Sequence, residues 1–246
     1  MKKQKVRALF ISDVHLGLKK AKVTQLLTLL DTYEADTYVL VGDIIDLWKL
    51  SSSVYWPRSH NDIVRRFMKL ARKSTVVYIP GNHDELLRDF VGEDIGGIKI
   101  CREFFYETVG GSSVICLHGD QFDQVILKAR WLAILGSWAY DALLELNEIN
   151  IKFRRILGLR PWSLSMYLKH KAKQATGLMK NFVQAAVLYA EHKSCKAVVT
   201  GHIHKPEITH IGGIMYVNCG DWIENCSAVV EHKNGDWEIV YAEGCK

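Results

Sequence analysis

Five times along the chain, a short apolar, β-branched run ends abruptly in a cluster of Asp, Asn and His. Lys5–Ile11 leads into Ser12-Asp13-Val14-His15, and Thr37–Val41 into Gly42-Asp43. Thr75–Ile79 leads into Pro80-Gly81-Asn82-His83-Asp84. Ser112–Leu117 is followed by His118-Gly119-Asp120, and Ala197–Thr200 by Gly201-His202-Ile203-His204. Runs of this length, stopped by Gly or Pro, read as buried strands. Polar clusters that each follow a buried strand can gather at one sheet edge. The recurrence therefore constrains the fold and the chemistry together.

The intervening segments support that reading. Ala21–Tyr33 repeats Leu26, Leu29 and Leu30 at helical spacing. Asn61–Lys73 places Ile63, Phe67 and Leu70 on one helical face, with basic residues opposite. A β-α-β-α-β order implies parallel pairing with right-handed crossovers. After Asp84 the texture changes. Gly96–Thr108 and Ser112–Leu117 read as short strands separated by Gly110-Gly111. Ala197–Thr200, Glu207–Ile211, Met215–Asn218, Ser227–His232 and Trp237–Tyr241 read as strands joined by tight turns, with Asn234-Gly235 a hairpin signal. The chain opens as α/β and closes as antiparallel β. Two sheets packed face to face, with helices outside, accommodate both halves.

Between these halves lies a segment of helical texture, residues 124–195, read as an insertion into a single domain spanning 1–246. Trp131, Leu135, Trp138, Ala142 and Leu146 recur every three or four residues, and Gly158-Leu159-Arg160-Pro161 interrupts the pattern. The chain carries a net charge of +5, but this segment alone holds 11 Lys and Arg against 4 Asp and Glu. The basic excess thus belongs to the insertion, which suits an anionic substrate or an anionic membrane surface. A nucleic-acid role is disfavoured because the basic residues alternate with a strong apolar pattern. The aromatic and leucine residues there either pack the insertion or meet an apolar ligand.

Composition excludes several other classes. Of the 246 residues, 48% are hydrophobic and 24% charged, so a sizeable core is expected rather than disorder. No apolar run approaches the ~20 residues needed to span a bilayer. The basic start Met1-Lys2-Lys3-Gln4-Lys5 precedes an apolar run that breaks at Ser12-Asp13, which reads as a first strand and not a signal peptide. A cytoplasmic location follows. The six cysteines form no CxxC pair, and an even count in a chain this long is weak evidence for disulfides.

Carboxylates, imidazoles and an amide are the hard and borderline donors that divalent ions take. Asp13, His15, Asp43, Asn82, His118, His202 and His204 are the candidate ligands. Asp-x-His and His-x-His place both side chains on one face of an extended segment. Two ions ~3.5–4 Å apart can activate a nucleophile and hold phosphoryl oxygens. Each cluster alone also reads as an ordinary strand-end turn; the site rests on their joint occurrence.

The five clusters resemble the signature of the calcineurin-like metallophosphoesterases. That resemblance implies a four-layer α-β-β-α sandwich of two mixed sheets and a centre of two divalent ions, often Mn²⁺. Position by position it implies Asp13, His15, Asp43 and His204 on one ion. Asp43, Asn82, His118 and His202 would hold the other, with Asp43 shared. It also implies His83 as the residue assisting the leaving oxygen, oriented by Asp84.

Ser12-Asp13-Val14-His15-Leu16-Gly17, Gly42-Asp43-Ile44-Ile45-Asp46-Leu47-Trp48 and the helical insertion after His118-Gly119-Asp120 resemble more narrowly the UDP-2,3-diacylglucosamine pyrophosphatases of lipid A synthesis. These cleave the pyrophosphate at the cytosolic membrane face, with the insertion as a cap over acyl chains. One position departs from that group: its best-known members carry Arg where this chain has His83. Asn82, Arg154, Arg155, Lys169 and Lys173 are the candidates for substrate phosphate, the four basic ones reading equally as a solvated helix face. The expected function is pyrophosphate hydrolysis of a lipid-linked nucleotide. The alternatives are a phosphodiesterase or nucleotidase for another substrate, and an inactive metal-binding scaffold.

Overall fold

The computed structural model describes residues 3–123 and 178–244. Most of the insertion, including the helical pattern from Trp131 to Leu146, lies outside the described residues, as do Arg154, Arg155, Lys169 and Lys173.

The first half forms β1 (Gln4–Ile11), α1 (Val23–Thr32), β2 (Tyr33–Val41), α2 (Leu47–Ser52), α3 (Arg58–Leu70) and β3 (Thr75–Ile79). Short strands follow: β4 (Asp94–Ile95), β5 (Ile98–Ile100), β6 (Phe104–Glu107) and β7 (Ser113–Cys116). After the insertion come α4 (Leu178–His192), β8 (Ala197–Thr200), β9 (Glu207–Ile211), β10 (Ile214–Asn218), β11 (Ser227–Glu231) and β12 (Trp237–Tyr241).

The strands make two mixed sheets, in the order β12-β11-β1-β2-β3-β5-β4 and β6-β7-β8-β10-β9. β1, β2, β3 and β5 run parallel, and so do β7, β8 and β10. Antiparallel strands close the edges. Alternation along each strand explains the layering. Ala8 and Phe10 of β1, Val39 and Val41 of β2, and Val77 and Ile79 of β3 join Val114, Cys116, Ala197, Val199 and Val217 in one core between the sheets. Leu9 and Ile11, on the opposite face of β1, pack with Leu26, Leu29 and Leu30 of α1 and Ile63 and Phe67 of α3. Tyr189 of α4 donates a hydrogen bond to Glu103, which also pairs with Lys193 at 3.3 Å. Cys101, Cys116, Cys195 and Cys219 are free thiols, whereas Cys226 is disulfide-bonded.

The chain divides into two compact units: Met1–Asp120 with Ala186–Lys246, and Gln121–Ala185. The first holds both sheets. Of the second, residues 121–123 and 178–185 are described, and the Phe122 and Phe182 rings meet edge to face at 5.6 Å. Among the described residues, no helix is long and apolar enough to cross a membrane.

A candidate two-metal centre at the strand ends

Every polar cluster found in the sequence follows the C-terminal end of a parallel strand, β1, β2 and β3 in one sheet, β7 and β8 in the other. Crevices outside the carboxyl ends of parallel strands are the usual binding places of open α/β sheets. The loops after β1 and β2 run side by side. Asp13 N–H bonds Gly42 O at 3.0 Å, His15 N–H bonds Asp43 O at 2.9 Å, and Asp46 N–H bonds Leu16 O at 2.8 Å.

The backbone does not reach the site by the extended spacing expected from sequence. Asp13 (φ 52°), His15 (φ 51°), Asp43 (φ 53°), His202 (φ 68°) and His204 (φ 54°) are all left-handed. Non-glycine residues adopt this region rarely and at a cost of order 1–3 kcal/mol each, and such strain concentrates at functional sites. The turns aim alternate side chains inward where a straight strand would carry them past the site.

Three groups result. Asp13, His15 and His204 bring one donor atom each within 4.8 Å of one another, and so do Asp43, His118 and His202. Asp43 stands between them: its Oδ2 lies 3.3 Å from His118 Nε2 and 4.0 Å from His15 Nε2. A third group joins His15, Asp43 and His83. The donor set suits divalent ions. So does an observation independent of it: Asp13 Oδ1, His15 Nε2, Asn82 Oδ1, His83 Nδ1 and His118 Nε2 are buried polar atoms without a hydrogen bond. Buried polar atoms are nearly always paired, so this concentration in one place calls for a ligand.

Electrostatics point the same way. Burial alone would raise the Asp43 pKa, but His118, His15 and the His83 N–H outweigh it and hold the carboxyl well below the usual range. Burial would lower His118, but the adjacent Asp43 carboxylate, with Asp13 behind, pushes it up to about 10. For Asp13, burial is outweighed by His204 and His118, and its pKa is lowered. Buried carboxylates thus dominate the site and demand positive charge.

The backs of the imidazoles are held. His118 Nδ1 donates to Val41 O at 2.9 Å, leaving Nε2 toward Asp43. His15 Nδ1 meets Asp46 Oδ2 at 3.1 Å. The same Asp46 oxygen lies 3.2 Å from His83 Nδ1, while its other oxygen caps α2 by accepting Lys49 N–H at 2.7 Å. Sequence reasoning assigned Asp46 no role, although it follows Asp43 by three residues and opens a helix. Asp221, 3.9 Å from His204 Nδ1, was also missed. Its Oδ1 collects the Ile223 and Glu224 N–H groups. Asn225 Nδ2 holds the His204 carbonyl at 2.9 Å.

The expectation that Asp84 orients His83 is corrected. Asp84 is fully buried and turns away from its neighbour. Its Oδ2 accepts from Tyr78 Oη at 2.5 Å and Ile44 N–H at 2.8 Å, and its Oδ1 accepts from Gly81 N–H. It ties the loop after β3 to the loop after β2. Burial raises its pKa, a trend the Tyr78 hydrogen bond only partly offsets. Asp46 is the carboxylate beside the His83 ring, which also packs on Trp48 at 4.6 Å.

Residues 6–206 match the family model described as calcineurin-like phosphoesterase. A protein of Shewanella piezotolerans named UDP-2,3-diacylglucosamine hydrolase is 26% identical over 235 residues, covering 90% of this chain and 92% of its own. One of the same name from Shewanella sp. strain W3-18-1 is 28% identical over 241 residues, covering 91% and 92%. Among solved structures, hypothetical protein PH1004 from Pyrococcus horikoshii shares the fold, with a TM-score of 0.52 at 10% identity over 98% of this chain and 88% of that one. With its strand-end clusters converging on paired carboxylates and imidazoles and four-fifths of its length matched, this chain belongs to the calcineurin-like phosphoesterase family.

Proposed function

We propose that the chain hydrolyses the pyrophosphate of UDP-2,3-diacylglucosamine to UMP and 2,3-diacylglucosamine 1-phosphate. The chain is a metal-dependent phosphohydrolase. The observation that carries this is the pair of donor trios, Asp13–His15–His204 and Asp43–His118–His202, with Asp43 between them. Divalent ions bound there supply Lewis-acid polarisation of a phosphoryl group and a nucleophile at neutral pH. In this reading Asp13, His15, His204 and Asp43 hold one ion, Asp43, Asn82, His118 and His202 the other, and both are Mn²⁺.

The chain's own residues do the rest. Asp46 Oδ2, 3.2 Å from His83 Nδ1, orients the ring so that its remaining nitrogen, in the imidazolium form, serves as proton donor to the leaving oxygen. His83 has 31% of its side chain open, as a group that meets substrate must. The relatives' shared name, over nine-tenths of both chains, supports the substrate. The basic segment 124–195 supports action at the cytosolic face of an inner membrane, with Arg154, Arg155, Lys169 and Lys173 as phosphate contacts.

The test is UMP release from UDP-2,3-diacylglucosamine against an unacylated UDP-sugar, with Mn²⁺ and other divalent ions compared after chelation. Faster release from the acylated substrate is expected. Equal rates on both would sink the lipid reading, and faster reaction with another ion would replace Mn²⁺. A second reading, a phosphodiesterase or nucleotidase for a soluble nucleotide, is favoured by His83 at the position where the best-known pyrophosphatases carry Arg. The same comparison separates the two. Asp43→Ala should abolish every one of these activities.

A further inference from the structure

Two short elements beside the metal centre bury nothing. α2 and the 3-10 turn Glu85–Phe90 have no buried side chain, although both are rich in apolar residues. Val54, just past α2, is 83% exposed and Leu86 64%, and Trp48 and Phe90 are also exposed. The two elements are tied together: Leu47 N–H bonds His83 O at 3.0 Å, and Trp48 Nε1–H donates to Glu85 Oε1 at 3.2 Å. The exposed apolar side chains thus gather along one edge of the centre, where the Trp48 ring lies 4.6 Å from that of His83. Exposed apolar residues scattered singly are ordinary, but a group of them marks a surface that meets a protein or a membrane.

The charge around this group decides between the two. Residues 47–61 hold Lys49 and Arg58 and no Asp or Glu; residues 14–30 hold Lys19, Lys20 and Lys22 and again no acid. The two stretches meet. Lys19 Nζ lies 5.7 Å from the centre of the Tyr55 ring, and Lys19, Lys20, Lys22, Tyr55 and Pro57 line one hollow. Five cations are segregated here without an acid, although the chain outside residues 124–195 has more acid than base. Tyr55 and Trp56 stand half-buried between the apolar tip and the cations, with Trp56 Nε1–H donating to Asn61 Oδ1 at 2.9 Å. Protein interfaces are depleted in Lys. An apolar tip, a Tyr-Trp pair behind it and a rim of Lys and Arg follow the order of chemistry across a membrane interface instead.

We propose that α2, the residues after it up to Arg58 and the turn Glu85–Phe90 form a docking surface for an anionic lipid bilayer. Val54, Trp48 and Leu86 enter the acyl boundary, Tyr55 and Trp56 sit at headgroup level, and Lys19, Lys20, Lys22, Lys49 and Arg58 meet lipid phosphates. Docking turns the His83 edge of the metal centre toward the membrane. The surface lies outside segment 124–195, and it stands whichever phosphoester the centre cleaves.

The experiment is sedimentation of the Mn²⁺-loaded full chain with vesicles of phosphatidylglycerol or of phosphatidylcholine. Retention by the anionic vesicles is expected, weakening as salt rises, with none by the neutral ones. Lys19→Gln with Lys20→Gln should weaken retention about 30-fold, or about fivefold per charge near an anionic surface. Val54→Asp, which removes apolar area and adds an anion, should weaken it at least about tenfold. Lys73→Gln with Lys99→Gln makes the same charge change away from the patch, Lys73 lying just before β3 begins. That control should stay within about twofold of wild type, because charges beyond the screening length count little. Every substituted side chain is exposed, so all three variants should keep the wild-type melting temperature and rate on a soluble aryl phosphodiester. Four outcomes would overturn the proposal: no retention of wild type by anionic vesicles, equal retention by neutral ones, either patch variant retained like wild type, or the control losing as much as the Lys19 and Lys20 pair. Vesicle retention and hydrolysis are read separately, so failure of the docking surface leaves the hydrolytic reading untouched.

Discussion

Asp46 shows what a single side chain can couple. One oxygen lies beside His15, in a metal trio, and beside His83, the proposed proton donor. Removing such a supporting carboxylate typically lowers metal affinity or activity about 10–100-fold. Asp46→Ala should therefore reduce both kcat on an aryl phosphodiester and bound Mn²⁺, by that order. A variant that keeps full metal content and full rate would remove Asp46 from the site. A second residue-scale expectation concerns protons. With no metal bound, Asp43 and Asp13 hold His118 protonated up to about pH 10 against the pull of burial. The folded-state pKa is raised, so the proton is present at pH 7 and must leave when Nε2 takes a metal. Mn²⁺ binding at pH 7 should release protons, and affinity should rise with pH through the neutral range. Calorimetry in two buffers of different ionisation heat checks this; identical heats would refute it.

At the scale of elements, the strand ends matter more than the strands. Sequence pattern located β3 at Thr75–Ile79 and β8 at Ala197–Thr200 with the bounds the structure has. Their apolar β-branched runs and flanking Gly or Pro are local signals, so they are legible locally. α2 escaped notice: six residues with no buried side chain leave no periodicity to read. The 3-10 turn Glu85–Phe90 escaped for the same reason. The left-handed turns at Asp13, His15, His202 and His204 were also illegible, since nothing in an Asp-x-His spacing distinguishes a turn from an extended pair. Close approach between loops leaves no mark except glycine. A Cβ on Gly81 would overlap both the Asp43 carboxylate and the His118 ring. Gly81→Ala should thus cost about 1–3 kcal/mol by overpacking, and should reduce Mn²⁺ binding more than it lowers the urea midpoint. Normal metal affinity in the variant would mean the loop yields freely.

The larger unit is two sheets sharing one inner core, and the core fixes where the strand ends sit. Phe10 stacks on Trp237 at 5.1 Å and meets Tyr106 edge to face at 5.4 Å, joining strands of both sheets. Phe10→Ala should destabilise by about 3–5 kcal/mol, read as a lower urea midpoint. A smaller loss would place the anchoring elsewhere. The same architecture makes the site a link between sheets: β1, β2 and β3 bring Asp13, His15, Asp43 and Asn82, while β7 and β8 bring His118, His202 and His204. A ligand that binds only this arrangement stabilises it by about 2.7 kcal/mol at a hundred times its dissociation constant. Mn²⁺ should raise the melting temperature of the chelated protein, and Asp43→Ala should erase that rise.

The sequence by itself determined the family, most of the strands and the identity of the seven candidate metal-site residues, but not the early start of β2 at Tyr33 or the short β4. Each feature so determined depends on residue types at short spacing, which a linear reading preserves. Tertiary structure decided which carboxylate serves which imidazole. Asp84 adjoins His83 in the chain, yet its side chain is spent on backbone N–H groups and Tyr78, and Asp46 reaches the ring from the loop after β2. Neighbours in sequence point apart, while partners in a site are set by how loops from separate strands meet, and that geometry exists only in the folded chain.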